Sequence, residues 1–361
     1  MTQEIHQHAS RVKFIHGDEW TGLTALLSSE TYRLSKVFVL VDENTKKHCL
    51  PRIHAHFPHP ENLVVMTIPA GENHKSIQRS ALLWQELSEQ GADRNSLMIN
   101  LGGGVICDMG GFVAATFKRG IRFINIPTTL LSQVDAAIGG KVGIDLESIK
   151  NQVGLFVHPL AIFVYPAFLE TLDERELRSG FAEMIKMALI SDGVLWQSFV
   201  KTGYPLALRD DKLIERVVLL KESITEADLF ESGPRKALNY GHTAGHAIES
   251  WFLRPERERI LHGEAVAAGM LIESWLSARL GGLSEKEFAE IDAFICDIFK
   301  PIKLSNKDLK GIMAGMVHDK KNRMGRSNFT LLEGIGHAIT DNFPGDELIQ
   351  ESLEWYQNLA Q

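Results

Sequence analysis

Three histidines in one short stretch have the types and spacing of metal ligands. His242 and His246 lie four residues apart in a segment with helical spacing of its apolar residues, so both rings project from one face. His262 follows after a short connection and can supply a third nitrogen. Such nitrogens suit zinc, and a carboxylate from elsewhere would complete a catalytic site with one position open for substrate. We interpret the stretch as a metal centre; the alternative is surface histidines on a helix.

A candidate for the carboxylate precedes this stretch. Glu183 and Lys186 lie three residues apart on one face of a predicted helix, a spacing typical of an ion pair on a solvated helix. The neighbours Phe181, Met184 and Ile185 are apolar and indicate instead that the segment is buried. On that interpretation Glu183 is a fourth candidate metal ligand.

A run of glycines follows a predicted strand at residues 96–101. Gly102, Gly103 and Gly104 would let the backbone approach a pyrophosphate closely, and the helix after them would offer N–H groups and a favourable dipole. The spacing is not the G-x-G-x-x-G of a Rossmann fingerprint, and we expect Asp108 to open the helix. A tight turn without a ligand is the alternative.

Polar residues follow two other predicted strands. Asp42 ends the apolar run 36–41, where it could accept hydrogen bonds from both ribose hydroxyls of NAD and would repel the 2′-phosphate of NADP. An N-cap or turn aspartate is an equally good explanation. Thr128 and Thr129 follow the strand 121–126 and either cap the next helix or present hydroxyls to a cofactor.

Several lysines lie in segments that the pattern predicts to be loops. Lys141 follows two glycines, Lys150 precedes Asn151, and a basic pair stands at Lys320 and Lys321. A compact ammonium in such a loop is typical of an anion ligand, although a solvated surface explains any one of them. Lys221, within an apolar helix, carries little information alone because lysine stems often snorkel.

The composition is that of an ordinary globular protein with little affinity for polyanions. The chain has 361 residues, 44% hydrophobic and 23% charged, and a formal net charge of −8, which argues against general binding of nucleic acid or anionic membranes. Its three cysteines lie far apart and indicate neither a disulfide framework nor a thiolate metal site. The first residues are polar and no apolar run reaches bilayer length, so we expect a cytoplasmic protein.

The elements that must position these residues change character along the chain. Short apolar strands alternate with a helical pattern up to about residue 165, whereas helical periodicity dominates from about Glu170. We therefore predict an α/β Rossmann-like NAD-binding domain at residues 1–173 and an all-α metal- and substrate-binding domain at residues 174–361.

Taken together, these motifs resemble the 3-dehydroquinate synthases, which are sugar phosphate cyclases related to iron-dependent polyol dehydrogenases. The resemblance runs collinearly from Asp42 to Lys321. It is carried by Gly102 to Val105 with Asp108, Pro127 to Leu131, Gly139 to Lys141, Lys150 with Asn151, Ala182 to Lys186, Leu238 to Glu249, His262 to Glu264, and Asp319 to Lys321.

The resemblance implies NAD, a zinc or cobalt ion, and a homodimer with the active site between its domains. By position, the metal ligands it implies are Glu183, His242 and His262, and His246 becomes a neighbour that binds substrate or relays protons. Helical spacing alone does not exclude His246 as a ligand.

The resemblance also assigns the remaining contacts. Those to substrate come from Asp135, Lys141, Lys150, Asn151, Lys186, Lys221, Arg235, Asn239, Lys320 and Lys321, with Arg119 reaching the phosphate of the neighbouring subunit. Those to NAD come from Asp42, Glu72, Lys75, Gly103, Gly104, Val105, Asp108, Thr128, Thr129, Asp135, Lys141, Lys150, Phe168, Thr171, Leu172 and Glu176.

In this family the substrate is 3-deoxy-D-arabino-heptulosonate 7-phosphate, and the reaction is a step of the shikimate pathway. Transient oxidation at C5 by NAD acidifies the C6 proton, phosphate leaves by β-elimination, the hydride returns, and an aldol step closes the ring without net redox. The alternatives are a cyclase for a sugar phosphate without a carboxylate, a metal-dependent polyol dehydrogenase, and a non-enzymatic nucleotide-binding protein. The basic residues and the three metal-spaced ligands favour the 3-dehydroquinate synthase activity over these alternatives.

Overall fold

A computed structural model describes residues 10–33, 35–146, 149–254, 256–317 and 327–360 of the chain. The chain divides into two compact units, Met1–Leu172 and Asp173–Gln361, one residue before the boundary expected from the sequence. The α/β class of the first part and the helical class of the second are confirmed. Lys320 and Lys321 lie outside the described residues.

Among its described residues the first unit has six strands in a parallel sheet and two in a separate antiparallel pair. Its strands are β1 Val12–Phe14, β2 Val37–Asp42, β3 Leu63–Ile68, β4 Leu97–Gly102, β5 Arg122–Pro127, β6 Lys141–Leu146, β7 Ile149–Phe156 and β8 Ile162–Val164. Its helices are α1 Thr21–Leu27, α2 Glu30–Arg33, α3 Glu43–His48, α4 Leu50–His54, α5 Ile77–Glu89 and α6 Gly104–Thr116. The three strands predicted at residues 36–41, 96–101 and 121–126 are present as β2, β4 and β5.

The sheet reverses its winding between two strands that carry predicted ligands. The strand order is β1-β8-β5-β4-β2-β3, and every neighbouring pair is parallel. The chain passes outward from β2 to β3 and then returns to the other side of β2 with β4. Ligands of open α/β sheets bind at such a switch point, outside the carboxyl ends of the strands. Asp42 and Gly102 end the two strands that flank it.

Alternation along the strands explains why both faces of this sheet are covered. Val37, Val39 and Val41 of β2 join one apolar core with residues of α1 and α4, whereas Phe38 and Leu40 join a second core with residues of α5 and α6. Successive side chains of a strand point to opposite faces, so a strand buried on both faces is a continuous apolar run. This is the pattern that predicted the strand.

Two details of the first unit differ from the expectation. Asp108 does not open α6: that helix begins at Gly104, and Asp108 lies inside it. Lys141 and the Lys150-Asn151 pair lie not in loops but on β6 and β7, which form an antiparallel hairpin. Residues 151–156 of β7 are exposed, so the strand lacks the apolar run that marks the others.

The second unit is largely helical. Its elements are α7 Glu174–Ser191, α8 Gly193–Thr202, α9 Asp211–Ala227, α10 His242–Phe252, α11 His262–Arg279, α12 Glu285–Ile298, α13 Asn306–Val317, β9 Phe329–Gly334, β10 His337–Asn342 and α14 Asp346–Leu359. The antiparallel pair of β9 and β10 was not expected in an all-α domain. Within the described part of the chain, no helix combines the length and apolar composition that crossing a membrane requires.

The centre of the second unit is α11. It packs against α7, α10, α12 and α14, and nearly all its residues from Gly263 to Ser277 are buried. Small residues such as Ala267 and Gly269 allow this: a side chain at Gly269 would stand 1.9 Å from the carbonyl oxygen of Gly241. A helix buried on all sides has no polar face, so any charged group on it needs partners inside the protein.

Candidate metal centre and cofactor edge

Three helices of the second unit bring one carboxylate and two imidazoles together. Glu183 comes from α7, His242 is the first residue of α10, and His262 is the first residue of α11. Oε1 of Glu183 lies 3.6 Å from Nε2 of His242 and 3.4 Å from Nε2 of His262. One ligand atom from each residue lies within 4.8 Å of the other two. Two nitrogens and one oxygen in this arrangement match the donor set of zinc enzymes.

Glu183 is a buried carboxylate with unusual surroundings. It is 0% exposed and forms an ion pair with Lys186. Burial acts to raise the pKa of Glu183, but the charge of Lys186 and the proximity of His262 lower it well below its ordinary value. The carboxylate is therefore ionised and able to bind a cation.

The ring of His242 is oriented by the backbone carbonyl of Tyr240, two residues earlier. Nδ1 of His242 lies 3.0 Å from the carbonyl oxygen of Tyr240, and since a carbonyl only accepts, Nδ1 is the donor. In the neutral ring the lone pair is then on Nε2, the nitrogen that faces Glu183. A lone pair aimed at a carboxylate is repulsive unless a cation lies between them, so the residues present fit a metal ion.

Both ring nitrogens of His262 face carboxylates. Nε2 faces Glu183, and Nδ1 lies 3.4 Å from Oε2 of Glu249. Burial acts to lower the pKa of His262, but its bonds to Glu183 and Glu249 raise it to about 10. A cation that binds between His262 and Glu183 therefore competes with a proton for Nε2 of His262.

His246 lies next to this group. Its ring centroid is 4.9 Å from that of His242 and 5.9 Å from that of His262. It also belongs to a second set of potential ligands, with Glu249 and His262. The four-residue spacing therefore places both rings of α10 near one point, as the sequence predicted, and Nε2 of His242 lies 3.6 Å from Oε1 of Glu183.

The start of α10 is held by a carboxylate from another helix. Glu273 of α11, which is 0% exposed, accepts hydrogen bonds from the backbone N–H groups of Gly241 at 2.7 Å, Thr243 at 3.1 Å and Ala244 at 3.2 Å. The N-cap residue of α10 is Gly241, with φ of 75°, and it has no side chain to cap the helix. Glu273 takes over that function and fixes the backbone on both sides of His242.

The start of α11 is held against α7. The N–H of Gly263 donates to Oγ of Ser179 at 3.0 Å, and a Cβ on Gly263 would stand 2.0 Å from the carbonyl oxygen of Ser179. Glu264 accepts two hydrogen bonds from Arg175, at 2.6 and 2.8 Å, and one from the N–H of Leu261 at 2.8 Å. Only glycine allows this approach, which brings His262 to Glu183.

In the first unit, predicted cofactor residues line the carboxyl edge of the sheet. Asp42 caps α3: its Oδ1 accepts the N–H of Thr45 at 2.8 Å, which is the alternative that the sequence left open. The N–H of Thr128 bonds to Gly102 at 3.0 Å, and a Cβ on Gly103 would stand 3.1 Å from Thr129. Gly103 and Gly104 open α6, and among described residues no side chain caps that helix end.

A second group of predicted residues in this unit surrounds the buried Lys75. Its Nζ bonds to Oδ2 of Asp108 at 2.6 Å and to Oδ1 of Asn151. Burial acts to lower the pKa of Lys75, but Asp108 and Glu72 raise it, so the ammonium stays charged. Lys150 lies 3.9 Å from Glu72. The hairpin of β6 and β7 is thereby tied to α6 beside the carboxyl edge.

Other predicted residues of the first unit are dispersed. Arg119 is exposed, with φ of 70°, in the turn between α6 and β5, and Lys141 is exposed at the start of β6. Phe168 is buried against Trp20 and Tyr165. The others lie as follows: Val105 in α6, Asp135 in the π-helical turn Ser132–Ala136, Thr171 at the end of the 3-10 turn Pro166–Thr171, and Leu172 just after it.

The remaining predicted residues of the second unit lie on three segments. Glu176 is on α7 and Lys221 is buried on α9. Arg235 and Asn239 lie on the 3-10 helix before α10. The backbone N–H of Arg235 bonds to Asp228 at 3.2 Å, and Nδ2 of Asn239 donates to Glu231 at 2.6 Å.

Several acidic residues of these networks were not predicted from the sequence. They are Asp145, which accepts the N–H of Asn151 at 2.7 Å, together with Asp228, Glu249 and Glu273. Glu249 carried a usable signal, because it lies three residues after His246 on the same helix face. Glu273 carried none, since its partners are backbone groups of another helix.

The chain matches known families over most of its length. Family models described as 3-dehydroquinate synthase N-terminal and C-terminal match residues 65–179 and 180–322. The 3-dehydroquinate synthase of Parabacteroides distasonis is 43% identical over 340 residues, which cover 93% of this chain and 94% of that protein.

Two solved structures share the fold. One is ValA, a 2-epi-5-epi-valiolone synthase from Streptomyces hygroscopicus with NAD+ and Zn2+ bound, at a TM-score of 0.82 and 24% identity over 99% of both chains. The other is a 2-deoxy-scyllo-inosose synthase complexed with carbaglucose-6-phosphate, NAD+ and Co2+, at a TM-score of 0.79 and 22% identity over 96% of both chains.

Proposed function

The chain belongs to the 3-dehydroquinate synthase family, and we propose that it converts 3-deoxy-D-arabino-heptulosonate 7-phosphate to 3-dehydroquinate and inorganic phosphate. It would thus act as a carbon–oxygen lyase of the shikimate pathway. The observation that carries this proposal is the group of Glu183, His242 and His262, which joins a carboxylate and two imidazoles from three helices.

We assign the metal to that group, as zinc or cobalt, and NAD to the first unit. When bound, NAD accepts and returns a hydride while the metal polarises substrate hydroxyl groups as a Lewis acid. Oε1 of Glu183 and Nε2 of His242 and of His262 would hold the ion. Lys186 balances the charge of Glu183, and we assign it as an electrostatic partner of the substrate carboxylate or its enolate.

The cofactor assignment rests on the switch point of the sheet. The glycines at the start of α6 leave room for a pyrophosphate against backbone N–H groups and the positive end of the helix dipole. Asp42 ends β2 beside it, and one of its carboxylate oxygens caps α3. We assign the other oxygen to the ribose hydroxyls, since capping uses only Oδ1 and the two interpretations of Asp42 are compatible.

The other residues of the site bind anions and move protons. His246 stands beside the metal ligands with a half-buried ring, and we assign it to substrate binding or proton relay. The cations Lys141, Lys150, Lys221 and Arg235 are assigned to the carboxylate and phosphate of the substrate. Asp135, Asn151 and Asn239 are assigned to its hydroxyl groups.

Further parts of the proposal concern assembly and location. The family resemblance implies a homodimer in which Arg119 contacts the phosphate bound by the neighbouring subunit. The exposed position of Arg119 in a turn suits that role. A cytoplasmic location stays a prediction from the sequence.

Two other functions of the same fold remain alternatives. A cyclase for sedoheptulose 7-phosphate would share NAD, metal and elimination, but its substrate has no carboxylate to pair with so many cations. A polyol dehydrogenase would catalyse net oxidation and would have no use for a phosphate-binding cluster. The buried cations Lys186, Lys221 and Arg235 favour the acidic phosphate ester.

A phosphate-release assay separates these functions. The purified protein, supplied with NAD and zinc or cobalt, is given the heptulosonate phosphate or sedoheptulose 7-phosphate while phosphate and NADH absorbance are followed. We expect phosphate release from the heptulosonate phosphate alone, with no accumulation of NADH. Stoichiometric NADH without phosphate would indicate a dehydrogenase, and phosphate from sedoheptulose 7-phosphate would indicate the other cyclase.

A further inference from the structure

One buried carboxylate next to the metal centre has no assigned function. Glu249 lies on α10, is 6% exposed, and places Oε2 at 3.4 Å from Nδ1 of His262. The opposite nitrogen of the same ring, Nε2, faces Glu183 at 3.4 Å. His262 is therefore held between two carboxylates, one at each nitrogen.

The position of the ring proton distinguishes Nδ1 from Nε2 of His262. A neutral imidazole that gives its Nε2 lone pair to a metal carries its proton on Nδ1. That N–H needs an acceptor, and Glu249 is placed to be one. A carboxylate that accepts from the outer nitrogen of a ligating histidine fixes the tautomer and the ring orientation and makes the ligand more basic.

We infer that Glu249 is a positioning residue that holds His262 as a metal ligand through Nε2. The inference rests on the proposed metal at Glu183, His242 and His262. The backbone carbonyl of Tyr240 orients His242 in the same way, by accepting a hydrogen bond from its Nδ1. Each of the two ligand imidazoles then has a fixed acceptor at Nδ1, one from the backbone and one from a side chain.

A second metal ion beside Glu249 is the alternative to a hydrogen bond, and the position of the His262 ring proton argues against it. His246, Glu249 and His262 form a second set with metal-ligand spacing. A second ion there would need the lone pair of Nδ1 of His262, which a neutral ring already ligated through Nε2 does not have. The Nδ1 side therefore holds a hydrogen bond rather than a second cation.

Metal titration of the full chain tests the inference apart from activity. Zinc affinity and stoichiometry are measured by competition with a chelator, and cobalt spectra report the ligand geometry. We compare Glu249→Ala, Glu249→Gln, His246→Ala and, as a control on the exposed face of α10, Ser250→Ala. We expect one ion per wild-type chain, roughly 10- to 100-fold weaker binding in Glu249→Ala, and unchanged affinity in Ser250→Ala.

The conservative variant separates positioning from packing. The amide oxygen of Glu249→Gln can still accept the Nδ1 proton, so we expect its affinity to lie between those of wild type and Glu249→Ala. Unchanged metal affinity in Glu249→Ala would overturn the inference, as would two ions per wild-type chain with one lost in both Glu249→Ala and His246→Ala. A wild-type chain that binds no metal would refute the proposed function instead.

Discussion

Glu273 accepts the backbone N–H of Gly241 at 2.7 Å, so a fully buried carboxylate of α11 caps the helix that begins with a candidate metal ligand. A carboxylate in the interior is costly unless its oxygens are satisfied. Here three N–H groups and the positive end of α10 supply the compensation. The position of His242 is thereby made part of the packing between two helices.

Replacing this carboxylate should destabilise the fold. In Glu273→Gln the amide N–H would face backbone N–H groups, and we expect the free energy of unfolding to fall by about 2 kcal/mol. Denaturant unfolding measures it, with Glu347→Gln on the exposed first turn of α14 as the control. Equal stability of wild type and Glu273→Gln would show that the hydrogen bonds to α10 contribute nothing.

The three histidines should differ in what they bind. We expect His242→Ala and His262→Ala each to lose bound metal, because each removes a nitrogen that faces Glu183. His246→Ala should keep about one ion per chain and lose turnover. Elemental analysis together with the phosphate-release assay measures both properties. A loss of metal in His246→Ala as steep as in the other two would make the ligand assignment wrong.

The contact at Gly263 should tolerate no side chain. A Cβ there would lie 2.0 Å from the carbonyl oxygen of Ser179, so α11 must move away from α7. We expect Gly263→Ala to lose about 1–3 kcal/mol of stability and to bind metal at least about tenfold more weakly, as His262 moves from Glu183. The control is Gly315→Ala, whose Cβ would stand at an ordinary 3.7 Å from Ala247. Equal metal affinity of both variants would contradict the argument.

The Glu264 carboxylate should make stability depend on pH. Burial acts to raise the pKa of Glu264, but hydrogen bonds from Arg175 and Leu261 lower it below its ordinary value. A carboxylate with a lowered pKa stabilises the fold above its ordinary pKa, near about 4.3, and ceases to do so as the pH falls through its pKa in the folded state.

We therefore expect Glu264→Gln to lose about 1 kcal/mol at pH 7, since Arg175 is partly exposed, and the difference from wild type to vanish in acid. Unfolding curves over this pH range, with Arg175→Gln and the double variant, isolate the pair. A difference that is the same at every pH would exclude the ionised carboxylate as its source.

The two roles of Asp42 can be separated by substitution. Serine is a good N-cap, so Asp42→Ser should retain the stability of α3, whereas Asp42→Ala should lose about 1 kcal/mol. If the carboxylate binds the ribose of NAD, both variants should bind NAD roughly 10- to 100-fold more weakly. Calorimetric titration of NAD measures this, and wild-type affinity in Asp42→Ser would leave Asp42 only its capping role.

The elements that the sequence predicted are those whose burial shows as a run of apolar residues. The run from Val37 to Val41 is apolar because both faces of β2 are covered, and it was found. The hairpin of β6 and β7 was missed because its outer strand is exposed and carries no such run. The pair of β9 and β10 was missed because helical patterns surround it on either side.

Within the site, pairwise relations within one helix were readable and those between helices were not. The spacing of His242 and His246 predicted that both rings share one helix face, but it could not tell which of the two is the metal ligand. The ring that faces Glu183 is set by the start of α10, which depends on Glu273 of a distant segment. Glu183 itself entered as a ligand through family resemblance and through the apolar residues around it.

Each of the three candidate ligands comes from a different helix. The unfolded chain therefore offers no ready-made site, and a cation can bind tightly only after α7, α10 and α11 have docked. Binding to the folded state alone raises stability with the logarithm of free metal concentration. The midpoint of unfolding should thus shift with metal supply, and metal release becomes a direct observable for the tertiary assembly of the helical unit.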